Sequence, residues 1–310
     1  MRNRSAAGAE GVMAGMKLRR TMLFVPGNDP GKLFNAGIYG ADSLVFDLED
    51  AVAVGEKDSA RDLVKNAILY NEYPCEVGVR INHISTPFGH DDIREIMKAR
   101  PAFLRVPKSE DPADIVAVDE LITHWEKEYG YEAGTVKIVL TIETALGIMN
   151  SYKLARASQR VVAIGLGAED LAADLETNRT SSGREILFAR SQLLLSARAA
   201  KVQAIDNVYA DVKNEEGFIA DTLLGKELGF NGKSVVHPNQ VDVVHRIYSP
   251  TLDEVRKAQK ILAAYQEALA KKSGVIALDG KMIDGPIVTR AERTLRYAQA
   301  VGLVKDGEVV

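Results

Sequence analysis

Two short apolar runs in this chain end on carboxylates. Ile138-Val-Leu-Thr-Ile-Glu143 runs on into Thr-Ala-Leu-Gly147, and Val161-Val-Ala-Ile-Gly-Leu-Gly-Ala-Glu-Asp170 follows one unit later. A short run of Val, Ile and Leu bounded by glycine reads as a buried parallel strand. Neighbouring strands lie about 4.8 Å apart, so Glu143 and Asp170 would project from one rim and could share a cation. Two hard oxygen ligands with room for water suit Mg²⁺ better than Zn²⁺. Either acid alone also fits a plain helix cap. It is the matching placement at two strand ends that points to a metal.

Other charged residues fall at the same kind of position. Asp47, Glu49, Asp50, Arg80, Lys108 and His237 each stand at or just beyond the carboxyl end of an apolar run. Buried ions need partners or a metal, so this crowding favours a site over packing. Arg80 fits a bidentate grip on a substrate carboxylate, or a pairing with Glu49. Lys108 fits a substrate contact or a rim salt bridge. Asp50 reads as a helix cap, and His237, placed before Pro238, reads as structural. Pro26-Gly27-Asn28, with Lys32 nearby, fits either a backbone cradle for an anion or an ordinary strand–helix turn.

Two nucleotide motifs fail. Gly232-Lys233-Ser234 resembles the end of a phosphate-binding loop, but Glu227 stands where that loop requires glycine. Gly165-x-Gly167 opens like a dinucleotide fingerprint, but Asp170 replaces the third glycine and would repel a pyrophosphate.

The elements that must position these residues alternate as strand and helix. Strands are expected at 21–25, 43–47, 76–82, 102–108, to 143, to about 167, 204–210 and 234–238, with helices at 31–38, 56–70, 91–99, 112–129, 183–201 and 214–228. Such alternation calls for a parallel sheet. Eight units in roughly 220 residues match a (β/α)₈ TIM barrel, in which chemistry sits at the carboxyl ends of the strands. An open doubly wound sheet is the alternative. The expected organisation is a leader over 1–18, a barrel over 19–250 and a C-terminal extension over 251–310. That extension holds a helix over 252–272, a hairpin around Asp279-Gly280 and a last helix over 287–301.

Composition excludes several classes. The chain has 310 residues, 46% hydrophobic and 26% charged, with a formal net charge of −4, an ordinary globular balance. No basic stripe interleaved with aromatics suggests nucleic acid. Cys75 is the one cysteine, which excludes an intramolecular disulfide and a cysteine-based zinc site, and a reducing cytoplasm fits. No apolar run is long enough to span a bilayer. Residues 1–18 lack the continuous apolar core of a signal peptide and are expected to be disordered.

Taken in order, Leu23-Phe-Val-Pro-Gly27, Phe46-Asp-Leu-Glu-Asp-Ala-Val52, Val79-Arg-Ile-Asn82, Arg105-Val-Pro-Lys108, Ile142-Glu-Thr144, Gly165-Leu-Gly-Ala-Glu-Asp170 and Gly280-Lys-Met-Ile-Asp-Gly-Pro286 resemble the citrate lyase beta subunits. These form a branch of the HpcH/HpaI aldolase family of metal-dependent carbon–carbon lyases. The resemblance runs from about Arg20 to the C-terminus. It implies a TIM barrel, Mg²⁺ on Glu143 and Asp170, substrate contacts from Arg80 and Glu143, and a catalytic Asp284 carried by the C-terminal loop into a neighbouring subunit; Lys108 and Lys32 are expected as further substrate contacts from their own places near strand ends. The implied reaction cleaves a citryl thioester on acyl carrier protein into oxaloacetate and an acetyl thioester. The implied partners are the acyl carrier protein and CoA-transferase subunits, with a trimeric or hexameric homo-oligomer. Relatives carry tyrosine at the position of Phe24 and a lysine one residue before Lys32, which bears on how an acyl carrier is met. Malyl-CoA or citramalyl-CoA lyase chemistry is the alternative within the family, and a non-catalytic acyl-carrier-binding subunit the alternative outside it.

Overall fold

The structure is a computed structural model and describes residues 17–270, 276–278 and 281–305. Eight strands form a closed parallel barrel: β1 (Thr21–Pro26), β2 (Ser43–Asp47), β3 (Glu76–Arg80), β4 (Phe103–Val106), β5 (Lys137–Ile142), β6 (Val161–Leu166), β7 (Gln203–Asp206) and β8 (Gly232–Val235). Closure comes from parallel pairing of β1 with β8, Met22 facing Ser234, and this rules out the open sheet. Helices follow the strands: α1 (Pro30–Asn35), α2 (Lys57–Tyr70), α3 (Gly89–Met97), α4 (Pro112–Glu128), α5 (Ala145–Arg156), α6 (Ala168–Asp174), α7 (Leu187–Ala200), α8 (Glu215–Leu228) and α9 (Asn239–Tyr248). Among the described residues no helix is long and apolar enough to cross a membrane.

Alternation along the strands sorts the interior into layers. Met22, Val45, Phe103, Val139, Ala163 and Ile205 form a buried cluster. Two residues further along their strands stand Phe24, Asp47, Arg105, Thr141 and Gly165, and the layer above holds Glu49, Glu143 and Gly167. The interior therefore turns from apolar to charged toward the carboxyl ends. Gly78 makes the apolar layer possible, since a Cβ there would overlap the Phe103 ring. The amino end is tied by Arg19, whose Nε and Nη2 donate to the two Glu76 oxygens at 2.7 Å each. Outside β7 and β8, Arg190 donates to Asp206 and Asp221, and Lys233 to the same two acids. These buried ions are paired, as burial requires.

Several strands are shorter than the apolar pattern. β4 stops at Val106 because Pro107 has no N–H for the ladder. β7 stops at Asp206 because Asn207 turns the chain, its Nδ2 donating to the Val208 carbonyl at 2.7 Å. β8 starts two residues earlier than expected, at Gly232.

The described residues divide into two compact units, Arg19–His245 and one that holds the chain from Arg246 onward. The C-terminal unit contains α10 (Leu252–Ala270), the antiparallel strands β9 (Ile276–Leu278) and β10 (Lys281–Ile283), and α11 (Gly285–Ala300). Val255, Ala298 and Val304 form its buried core. The expected hairpin and helices are present. The turn at Asp279-Gly280 and all but the end of the expected leader lie outside the described residues.

Replacing Gly78 by valine should destabilise the protein by about 1–3 kcal/mol, because the added methyls overpack a filled layer. Urea unfolding checks this, and combining the change with Phe103→Leu should recover part of the loss.

Candidate active site

The carboxyl end of the barrel opens into a cavity of about 410 Å³ lined in part by Phe24, Asp47, Arg80, Arg105, Thr141, Glu143, Gly167, Asp170 and Ser234. β5 and β6 run side by side, with Ile142 facing Leu166. Glu143 follows the last residue of β5, and Asp170 stands in the first turn of α6. Both acids line the cavity, as their places at neighbouring strand ends imply. Glu143 is buried and Asp170 is exposed. Gly167 allows the approach of Glu143, since a Cβ there would collide with its Oε2.

Lys108 holds Glu143 from the other side. Its φ of 48° lies in the left-handed region, unusual for a residue with a side chain. In this conformation its N–H donates to Glu143 Oε1 at 2.6 Å, while its Nζ donates to Glu49 Oε1 at 2.9 Å. The geometry thus makes Lys108 a rim salt bridge that organises two acids. Burial pushes Glu143 up to about 7, against the Lys108 N–H, and the negative charges of Glu49 and Asp170 add to the rise.

Arg80 enters the cavity with its fork already filled. Nε and Nη2 donate to the two oxygens of Asp47 at 2.7 Å each. Nη1 lies 2.9 Å from Glu49 Oε2 and donates to the exposed Asp50 at 3.1 Å. Burial works against the Arg80 charge, but Asp47, Glu49 and Asp50 more than offset it and raise its pKa. Burial likewise works to raise Asp47, and Arg80 overcomes it and holds the carboxyl below its usual range. The pairing expected for Arg80 is therefore present, with Asp47 as its principal partner. Glu49 Oε2 makes its ion contact without hydrogen-bond alignment and is left with no donor despite burial.

The remaining expected residues are placed elsewhere. Lys32 is not among the cavity residues; its side chain is 61% exposed and pairs with Asp29 at 3.1 Å. In the Pro26–Asn28 turn the Gly27 N–H donates to the Asp47 carbonyl at 2.9 Å and Asn28 Nδ2 donates to Glu56. His237 accepts from the Asn239 N–H through Nδ1 and so shapes a turn. Asp284 belongs to the C-terminal unit, where it caps α11 by accepting from the Ile287 N–H at 3.2 Å.

Arg105 was not marked as a site residue by its sequence position. It is fully buried, donates from Nε to Thr141 Oγ1 at 2.9 Å and from Nη1 to Ser234 Oγ at 3.3 Å, and lies over the Phe24 ring at 4.7 Å. Arg80 lies over the same ring at 5.1 Å. The signal for Arg105 was a charge at an inward position of an otherwise apolar strand, Phe103-Leu-Arg-Val106.

Among the described residues no group of three or more His, Cys, Asp or Glu side chains gathers as a metal site. Of the acids that line the cavity, Glu143 and Asp170 offer the two carboxylates at neighbouring strand ends. A hard cation such as Mg²⁺ binds through one or two carboxylates and fills its octahedron with water and substrate oxygens, so the donor set fits. A cation would also relieve the repulsion from Glu49 and Asp170 that adds to the effect of burial on Glu143.

Residues 20–238 match the HpcH/HpaI aldolase/citrate lyase family. The chain is 46% identical over 289 residues to the citrate lyase subunit beta of Leuconostoc mesenteroides subsp. cremoris, covering 93% of this chain and 96% of that one. Among solved structures it is similar to CitE of Mycobacterium tuberculosis in complex with magnesium, acetoacetate and coenzyme A, with a TM-score of 0.74, 28% identity, and 91% and 98% of the two chains covered. A citrate lyase beta subunit from M. tuberculosis complexed with oxaloacetate and magnesium gives a TM-score of 0.64 at 28% identity, covering 76% of this chain and all of that one. With the barrel, a cavity lined by Glu143 and Asp170 and these matches in hand, the chain belongs to the HpcH/HpaI aldolase/citrate lyase family.

Proposed function

We propose that this protein is a Mg²⁺-dependent carbon–carbon lyase that cleaves a citryl thioester, carried by acyl carrier protein, into oxaloacetate and an acetyl thioester, as the beta subunit of a citrate lyase. The observation that carries this reading is the joining of Glu143 and Asp170 with two arginines in one cavity of a family barrel.

Retro-aldol cleavage breaks the bond between the carbinol carbon and the thioester methylene. The hydroxyl proton leaves to a base, the electron pair passes to the methylene as a thioester enolate, and a proton then completes the acetyl group. When bound, Mg²⁺ supplies a Lewis acid for the substrate hydroxyl and its adjacent carboxylate. Glu143 and Asp170 would hold it. Lys108 fixes Glu143 through its N–H. Arg80, braced by Asp47, presents the edge that carries Nη1, and a ligand carboxylate would compete there with Asp50. Positive charge at this edge steadies an enolate oxygen. Asp284 is the proposed proton donor, delivered from a neighbouring subunit of a trimer or hexamer. The CoA-transferase subunit would be the further partner in the complex.

Glu143→Gln should abolish cleavage and weaken Mg²⁺ binding while the melting temperature changes little, since the amide oxygen still accepts from Lys108. Wild-type turnover by the folded variant would remove Glu143 from the metal role. Because Glu143 sits near 7, its protonated form competes with the cation below that pH and its anion binds above it. Mg²⁺ affinity should therefore rise roughly tenfold between pH 6 and 8, with proton release measurable by calorimetry in buffers of different ionisation enthalpy. A pH-independent affinity would contradict this.

A shared site is tested by complementation. Asp284→Asn and Glu143→Gln subunits, each inactive, should recover part of the activity after subunit exchange. Demonstrated exchange with no recovery, or a monomeric active protein, would end the shared-site reading.

A further inference from the structure

The cavity contains two guanidinium groups in opposite circumstances. Arg80 has three carboxylates around it. Arg105, deeper in the barrel, has none within ion-pairing distance among the described residues. Its partners are two hydroxyls, Thr141 Oγ1 and Ser234 Oγ, the Met22 sulfur at 3.8 Å, and the face of Phe24. Arginine has five N–H donors, and Nη2 of Arg105 reaches no acceptor among the described residues. A neighbour that would crowd Nη2 is missing: a Cβ on Gly165 would stand 3.0 Å from it.

A buried cation without an anion is costly, and a fold that keeps one has a use for it. Burial, aided by the like charge of Arg80, lowers Arg105 to about 10, so it remains charged at neutral pH. Arg105 lines the cavity, one strand layer below Glu143, which is roughly 6.6 Å along the strand. An anionic group of the ligand that points down the barrel from a cation held at Glu143 would meet it.

We infer that Arg105 is a specificity-determining residue that pairs with the second carboxylate of the substrate, the one on the acetate arm retained by the departing oxo acid. The inference rests on the proposed citryl cleavage and deepens it. A citryl thioester carries that arm as a carboxymethyl group. A citramalyl thioester has a methyl there and a malyl thioester a hydrogen, and neither leaves an anion for Arg105. The hydroxyls of Thr141 and Ser234 orient the guanidinium, and the open side at Gly165 leaves Nη2 available to the ligand.

The test uses full-length protein with Mg²⁺ and the variants Arg105→Met and Arg105→Lys. Oxaloacetate and pyruvate are titrated calorimetrically as probes, and kcat/KM is measured for citryl and citramalyl thioesters on the same carrier. The wild type should bind oxaloacetate at least about tenfold more tightly than pyruvate, and Arg105→Met should remove that preference. The same change should lower kcat/KM for the citryl thioester about a hundredfold or more, with far less effect on the citramalyl thioester, because a site built for a charged group is left unmatched only by its own substrate. Arg105→Lys should fall between.

Equal binding of oxaloacetate and pyruvate by the wild type, or equal losses on both thioesters in Arg105→Met, would overturn the inference. If the methionine variant does not fold by circular dichroism, the lysine variant and the wild-type ligand pair decide. A wild type that cleaves no citryl thioester yet prefers oxaloacetate in an Arg105-dependent way would refute the proposed reaction and leave the carboxylate site standing. Cleavage with no oxaloacetate preference would do the reverse.

Discussion

A closed barrel can hold a carboxylate in its interior only if something nearby compensates the charge, and the compensation here is uneven. Asp47 is matched by the fork of Arg80. Glu49 is matched in part by Lys108 and keeps one oxygen without a donor. Glu143 has the backbone N–H of Lys108 and little else, and burial lifts it accordingly. The gradient of satisfaction runs from Asp47 to Glu143, toward the place where a cation fits. The left-handed backbone of Lys108 serves that gradient, since it lets one residue address both Glu49 and Glu143.

Two ion networks away from the cavity follow the opposite rule. At the amino end Glu76 receives two hydrogen bonds from Arg19 and one from Ser43. Between the strands and α7 and α8, Arg190, Lys233, Asp206 and Asp221 neutralise one another. A completed network rigidifies, whereas an incomplete one is ready for a ligand. Stability and chemistry are thus assigned to different ends of the same strands, and the alternation of side chains along each strand makes that division possible.

Much of this was legible in the sequence because it depends on local pattern. Short apolar runs ended by a charge marked the strands, and the number of units marked the barrel. Glu143, Asp170, Arg80 and Lys108 stand at the expected rim because rim position follows from where a run stops. Pairing was less legible, because it depends on which strands are neighbours and on side-chain reach. Asp47, read as one acid among several, proved the main partner of Arg80, and Lys108 proved to be engaged by acids. Lys32 lies off the cavity because α1 begins at Pro30 and its first turn carries that lysine outward, onto Asp29. The place of Arg105 in the cavity is not legible from its strand, where a lone charge gives no periodic signal until the closed sheet shows which face is inward.

The ring of Phe24 lies against two guanidinium groups, at 5.1 Å from Arg80 and 4.7 Å from Arg105. The five carboxylates that line the cavity, Asp47, Asp50, Glu143, Glu169 and Asp170, outnumber these two cations. For an approaching anion the opening is therefore a repulsive field with an attractive floor. A divalent cation at the rim would reverse most of that imbalance. Electrostatics then favours an order of entry, cation first and anionic substrate second, with the deep arginine acting only on a molecule that has already passed the acids.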